Sequence, residues 1–286
     1  MRHESPSAGL FVQSFAKGLE VLLAFGSQRA SMNLPEIAAA AGISKSAAQR
    51  FAFTLESLGY LVKDPSTKRY SLTPRMLELG YRYLLVNRVL ERASPYLLEL
   101  NRKCRETVNI AEPEGVDMVF VGRFPSYHNM PVYMPVGRRL PMFCTASGRA
   151  YLAALPETTA VELLRRSERK RFTPTTVTEM PALVDLLRQA RSRGYSLANG
   201  EYYQGDLGIG VPILDSVGQP IAAINISGPS TRWTLERMGA ELAPLLMETA
   251  RLICTTPPPP KDVEPFRLGL LPQPSAGPRR ARVAAR

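Results

Sequence analysis

The run from Asn33 to Leu72, NLPEIAAAAGISKSAAQRFAFTLESLGYLVKDPSTKRYSL, constrains the fold more than any other stretch, because start and stop signals follow one another within 40 residues. Asn33 is suited to cap a helix, since its side-chain oxygen can accept from an unpaired backbone N–H. Glu36, three residues on, can reach back to complete a capping box. Pro35 falls in the first turn, where a missing N–H costs nothing, and the alanines at 38 to 41 favour helix until Gly42 stops it. Ser44 then caps a second helix, expected from Lys45 to Leu58. Its residues Ala48, Phe51, Leu55 and Leu58 recur at steps of three or four and share an apolar face. After Gly59, the β-prone triplets Tyr60–Val62 and Tyr70–Leu72 flank Asp64–Arg69, a loop rich in turn residues. Two short helices, a tight turn and a basic hairpin, in this order, predict a winged helix-turn-helix.

Such a unit binds duplex DNA by laying its second helix in the major groove. The candidate contacts are Ser44, Lys45, Ser46, Gln49, Arg50 and Thr54 at the second helix and Lys68 and Arg69 in the wing. They offer cations and hydrogen-bonding groups to phosphates and base edges. A net charge of +11 favours a polyanionic partner. Apolar residues Val12, Phe15, Leu19 and Leu22 or Leu23 repeat at helical spacing, and this first helix is expected to pack its stripe on Ile37, Phe51 and Leu55. Thr73 and Pro74 open a further helix reaching about Val89, read as a linker that can pair with a second copy of itself.

A chain of 286 residues has room for a second core beyond residue 90. Helices are expected at 92–105, 147–153, 156–166 and 181–193, with a last one capped by Thr234. Strands are expected at 107–111, 118–121, 132–134, 195–197, 209–214 and 221–226. This interleaving suggests an antiparallel sheet flanked by helices, and hence an α+β chain. Residues 1–11 read as a frayed N-terminus. Beyond Thr255, a proline run and scattered arginines suggest a disordered basic tail. No apolar run approaches the roughly 20 residues that span a bilayer, and the N-terminus lacks a signal-peptide core, so no membrane partner and a cytoplasmic location are expected.

The chain resembles the isocitrate lyase regulator (IclR) family of bacterial transcription factors. SFAKGLEVL, LPEIAAAAGISKSAAQR and LESLGYLVKDPSTKRYSLTPRMLELG carry the likeness in the first domain. LNRKCRETVNIA, VGRRLPMFCTASGRAYLA, RFTPTTVT, ARSRGYSLANGEYYQGDLGIGVPI and AAINISGPSTRWTLERM carry it in the second, in the family's order over residues 12 to 254. The resemblance implies a DNA-binding domain over 12–73, a linker helix over 74–90 and a GAF-like effector-binding domain over 91–254. It implies a homodimer or dimer of dimers acting on a DNA operator in response to a small organic acid.

The family's effector positions fall at Ala146, Ser147, Ala198, Asn199, Gly208, Asn225 and Ser227. Thr145–Ser147 precedes a helix, whose first N–H groups suit a carboxylate. Asn225 and Ser227 share a strand face. Met142, Phe143 and Ile209 are candidate apolar walls. Where relatives often carry acidic residues, this chain has Ala198 and Asn199, and Gly208 replaces a cysteine or serine; the lost side chains favour a larger, aromatic acid. Cys104, Cys144 and Cys254 make no metal-ligand pattern, His3 and His128 support no nucleophile, and the glycines at 205, 208 and 210 lack the lysine of a phosphate loop. No cofactor, metal or enzymatic activity is expected. The competing reading is an architectural DNA-binding protein whose second domain only oligomerises.

Overall fold

The computed structural model describes residues 10–128 and 134–255. The frayed start up to residue 9, the proline–arginine tail from 256 on, and Val132 and Tyr133 of the expected strand at 132–134 lie outside the described residues. The chain divides into two compact units, Met1–Leu85 and Val86–Arg286.

In the first unit, helix α1 (Gln13–Leu23) leads to a short strand β1 (Ser31–Met32), then α2 (Leu34–Ala40) and α3 (Lys45–Ser57). The capping box forms as expected: Glu36 N–H donates to Asn33 Oδ1 (3.0 Å) and Asn33 N–H to Glu36 Oε2 (2.9 Å). Ser44 Oγ accepts from Ala47 N–H (3.2 Å) to start α3. Strands β2 (Leu61–Lys63) and β3 (Tyr70–Leu72) make the wing, in a three-stranded antiparallel sheet of order β1-β3-β2. Ile37, Ala48, Ala52, Leu55, Leu61 and Tyr70 close the core with Val21, Leu22 and Phe25.

The stripe expected on α1 turns out differently. Leu22 enters the core, but Val12, Phe15 and Leu19 are exposed, as is Leu23. The helix meets α3 instead at Gly18, where a Cβ would lie 3.7 Å from the Phe51 ring. More positions of α1 are apolar than one face can hold, so periodicity alone does not select the inward one.

After a 3₁₀ turn (Pro74–Met76) capped by Thr73, helix α4 (Leu77–Val86) buries none of its residues. It stops three residues before the expected end because Asn87 caps a new helix, α5 (Arg88–Cys104). Asn87 Oδ1 accepts from Leu90 N–H (2.8 Å), and Nδ2 donates to Glu112 Oε1 (2.8 Å).

The second unit is built on a six-stranded antiparallel sheet. Its strands are β4 (Thr107–Glu114), β5 (Asp117–Phe124), β6 (Arg139–Pro141), β7 (Ser196–Asn199), β8 (Asp206–Leu214) and β9 (Pro220–Pro229), in the order β6-β5-β4-β9-β8-β7. Among the described residues the third strand is β6, at 139–141, a strand the sequence reading did not include; Met134, the one described residue of the expected 132–134 strand, lies outside any strand. Alternate residues of β4, β9 and β8 such as Ile110, Ile226 and Ile209 face α5 and the final helix α10 (Ala243–Thr255). The opposite face is crossed by α6 (Ala146–Ala154), backed by α7 (Glu157–Arg166) and α8 (Met180–Arg193). The chain is thus α+β: a winged helix-turn-helix, a linker helix, and a sheet between helices. No helix among the described residues is long and apolar enough to cross a membrane.

Candidate nucleic-acid interface and ligand cavity

On α3, Ala48, Ala52 and Leu55 are buried, which leaves Lys45, Ser46, Gln49, Arg50 and Thr54 exposed. Ser46, Gln49 and Arg50 stand at i, i+3 and i+4 and share a face. Ser44 Oγ is shared with the cap and with Ser46 Oγ (3.1 Å), and Thr54 Oγ1 donates to Arg50 O (2.9 Å). Phe53, which the apolar pattern passes over, is 68% exposed seven residues after Ser46 and so belongs to this same polar face.

The wing tip is shaped by Asp64, whose Oδ1 accepts from Ser66 Oγ (2.6 Å), Ser66 N–H (2.7 Å) and Thr67 N–H (2.9 Å). These bonds, the Ser66 hydroxyl first, hold its pKa down to about 2. Lys68 follows, exposed and in the left-handed region (φ 58°). Arg69 does not join it. Its guanidinium bonds Ser31 Oγ (3.0 Å), Ser31 O (2.7 Å) and both Glu36 carboxylate oxygens (2.7 and 3.3 Å). Arg69 braces the wing to β1 and α2, with most of its donors spent inside the fold, whereas Lys68 is left to solvent.

The second site is a cavity on the α6 face of the large sheet, with an empty volume of about 440 Å³ including its mouth. Strand register explains who lines it. Asn109, Asn225 and Gly210 stand side by side on β4, β9 and β8; Thr107, Ser227, Gly208 and Ala198 make the next row, across β4, β9, β8 and β7. The first residues of α6 cap these rows. A Cβ on Gly210 would lie 2.6 Å from Ala146 O, and one on Gly208 would lie 3.1 Å from Ala146 Cβ, so glycine at both positions lets the helix start close to the strand. Gly208 thus serves helix approach as well as open space. Ser196 Oγ donates to Ala146 O (2.5 Å) and fixes the turn. Thr145 caps α6 by accepting from Gly148 N–H (3.3 Å), which leaves the N–H groups of Ala146 and Ser147 without an intrahelical acceptor.

Six of the seven expected effector positions line the cavity: Ala146, Ser147, Ala198, Gly208, Asn225 and Ser227. Asn199 does not. It follows Ala198 on β7 and so points to the other face, where it is exposed. The expected walls also change. Ile209 faces α10, on the opposite side from Gly208 and Gly210, and Met142 and Phe143 are buried away from the space. Phe120, Met134, Leu140 and Cys144 form the apolar wall instead. Burial pushes the Cys144 thiol up to about 12, so it is an apolar lining group rather than a nucleophile.

Five further lining residues, Asn109, Glu201, Tyr202, Tyr203 and Asp206, carry no local sequence signal. Glu201 is buried and clamped to Arg149 by two bonds of 2.5 and 2.6 Å, and Arg149 also reaches Phe143 O and Leu197 O. This clamp holds the loop that sets Tyr202 and Tyr203 against the cavity, their rings packed edge to face at 4.8 Å. Asn109 Oδ1 accepts from Arg123 (3.1 Å), leaving its Nδ2 free. Among the described residues, four buried side-chain polar atoms lack a partner; Asn109 Nδ2, Asn225 Oδ1 and Asp206 Oδ1 all line this cavity. Buried polar groups are paired in the great majority of cases, so three orphans around one space mark a place for a ligand. No group of three or more potential metal ligands occurs among the described residues.

Comparison with known proteins agrees with both units. Residues 14–65 match the IclR helix-turn-helix domain, and residues 81–255 match the bacterial transcriptional regulator IclR C-terminal domain. The chain is 34% identical over 245 residues to the Pca regulon regulatory protein of Pseudomonas putida, covering 85% of this chain and 84% of that one. It is similar to the solved structure of a transcriptional regulator from Rhodococcus sp. RHA1, with 34% identity, a TM-score of 0.75, and coverage of 85% and 97%. It is likewise similar to an IclR homologue from Microbacterium hydrocarbonoxydans complexed with 4-hydroxybenzoate, with 29% identity, a TM-score of 0.70, and coverage of 85% and 98%. The chain therefore belongs to the IclR family of bacterial transcriptional regulators, as a ligand-responsive DNA-binding protein.

Proposed function

We propose that this regulator controls a catabolic operon in response to an aromatic acid bound in the α6 cavity. The observation that carries the reading is the pairing of acceptor-free N–H groups at Ala146 and Ser147 with the orphaned Asn109 Nδ2 and Asn225 Oδ1 in one partly apolar space. The helix N-terminus favours the carboxylate, the asparagines and Ser227 supply hydrogen bonds, and Phe120, Met134 and Leu140 receive a ring. The IclR homologue solved with 4-hydroxybenzoate supports an aromatic acid over a two-carbon one.

On the DNA side, Lys45, Ser46, Gln49 and Arg50 face the major groove, Ser44 and Thr54 flank them, and Lys68 reaches a phosphate from the wing. A homodimer, or a dimer of dimers, brings two such helices to half-sites roughly 10 bp apart or a multiple of it. Its support is the uncovered apolar surface: Phe15 and Leu23 on α1 and Leu77 and Val86 on α4 are 68%, 81%, 75% and 72% exposed in the single chain. The acid acts by binding the DNA-competent and DNA-incompetent arrangements with different affinity.

Calorimetric titration of the full chain with benzoate, 4-hydroxybenzoate, glyoxylate and pyruvate tests the effector class. Binding of the aromatic acids, with hydrogen-exchange protection of residues 145–147, is expected; tight binding of glyoxylate alone would overturn it. A second domain that only oligomerises would bind none of them.

A further inference from the structure

We propose that Asp206 recognises a hydrogen-bond donor on the effector, at the end remote from its carboxylate, so that the ligand is a hydroxylated acid with about one ring between the two groups. The inference rests on the aromatic-acid reading and adds a second polar anchor to it.

Asp206 opens β8 on the cavity face, and its Oδ1 is enclosed without a partner. Its backbone is fixed on both sides: its N–H donates to Tyr203 O (3.1 Å), and its C=O accepts from Gly200 N–H (3.0 Å). The backbone at the start of the strand is therefore fixed, with Oδ1 on the cavity side. Two charges act on it, an attraction from Arg123 and a repulsion from Glu106. Glu106 is already engaged, by Arg232 (2.8 and 2.9 Å) and the Trp233 indole N–H (2.9 Å). Burial holds the Asp206 carboxyl up at about 7, so ionising it without a donor is costly.

In its ionised form the Asp206 carboxylate only accepts, so a hydroxyl or amine hydrogen is the complementary group, and a bound donor favours that form. The effector's own carboxylate is excluded from this end when Asp206 is ionised, because two like charges would meet in a confined space. It goes to the α6 end. Ala146 sits over Gly208 and Gly210, which lie two and four residues from Asp206, so the two anchors are about 7 to 13 Å apart along the strand. A two- or three-carbon oxoacid cannot reach both; a ring carrying both groups can. Asn109 and Asn225 stand level with Gly210, at the α6 end, and Ser227 stands level with Gly208, between that row and Asp206.

Isothermal titration of the full chain with benzoate, 4-hydroxybenzoate, 3-hydroxybenzoate and 4-methoxybenzoate tests the proposal. The wild type should bind at least one hydroxylated acid about tenfold or more tightly than benzoate and the methoxy compound, which has no donor. Asp206→Ala should bind benzoate within a few-fold of wild type and show no preference for the hydroxyl. Asp206→Leu, of similar shape and with no acceptor, provides the same comparison should the alanine variant fold poorly, and the methoxy comparison needs no variant. Equal binding of all four acids by wild type, or a preference that survives in both variants, would overturn the role of Asp206 and leave the aromatic-acid reading standing. Failure of all four to bind would overturn both.

Discussion

Truncating Glu201 to alanine should lower the stability of the second unit by about 3 kcal/mol, toward the lower end of the range for breaking a buried ion pair. The Arg149 and Glu201 side chains are only 2% and 3% exposed. In the variant, Arg149 loses both bonds to the carboxylate but keeps Nε on Phe143 O (2.9 Å) and Nη1 on Leu197 O (3.2 Å), so it is not wholly stranded. The backbone N–H of Val177 also loses its acceptor, Glu201 Oε2 at 3.1 Å. Trp233 is the single tryptophan of the chain and lies in this unit, so its fluorescence in a urea titration reports the second unit alone. For a urea dependence of about 1–3 kcal/mol per molar, the midpoint should fall by about 1–3 M. Replacing both partners, Arg149→Met with Glu201→Leu, should recover most of the loss, since no charge is then left unpaired. A fall below about 1 kcal/mol in the single variant, or a double variant less stable than it, would refute the clamp.

Lys68→Ala should weaken DNA binding in fluorescence anisotropy and reduce the salt slope by about one ion. Arg69→Ala should instead destabilise the first unit, because it strips the brace between β3, Ser31 and Glu36, a loss seen in thermal melts without DNA. Phe53→Ala should relax preference for thymine at a contacted step. Uracil in place of thymine in the duplex should reproduce the loss for wild type and have no further effect on the variant. Asp206 yields a signed pH effect. Its folded pKa lies above the ordinary 3.8, at about 7, so its neutral form is favoured in the fold and stability is lost as pH rises between these values. Asp206→Asn should remove this slope: the variant gains on wild type in urea melts from about pH 4 to about pH 7 and holds that gain above.

What was legible in the chain was what local chemistry determines. The Asn33–Glu36 box, the Ser44 cap and the glycine stops place α2 and α3 with no knowledge of the rest. Six of the positions that the resemblance assigned to the effector line the cavity. The losses share one cause, side-chain direction set by distant partners. Arg69 reads as a free cation until Ser31, 38 residues away, is folded against it. Asn199 and Ile209 fail by one residue, because a strand alternates and its inward parity is set by its neighbours. Phe15 and Leu19 are apolar at helical spacing, but so are Val21, Leu22 and Leu23 on other sides of α1, and the core takes only one side. Asn109, Glu201 and Asp206 acquire meaning only when β4, the 200–206 loop and β8 meet around one space.

The most direct test of ligand-responsive DNA binding joins the two units in one titration. Anisotropy of a labelled duplex, selected from a random library by the full chain, is followed with and without saturating acid identified by calorimetry. A change in DNA affinity of about 5- to 150-fold is expected, and the acid should bind the DNA-loaded protein with its affinity shifted by the same factor. An acid that binds the cavity and leaves DNA affinity unchanged would contradict the account.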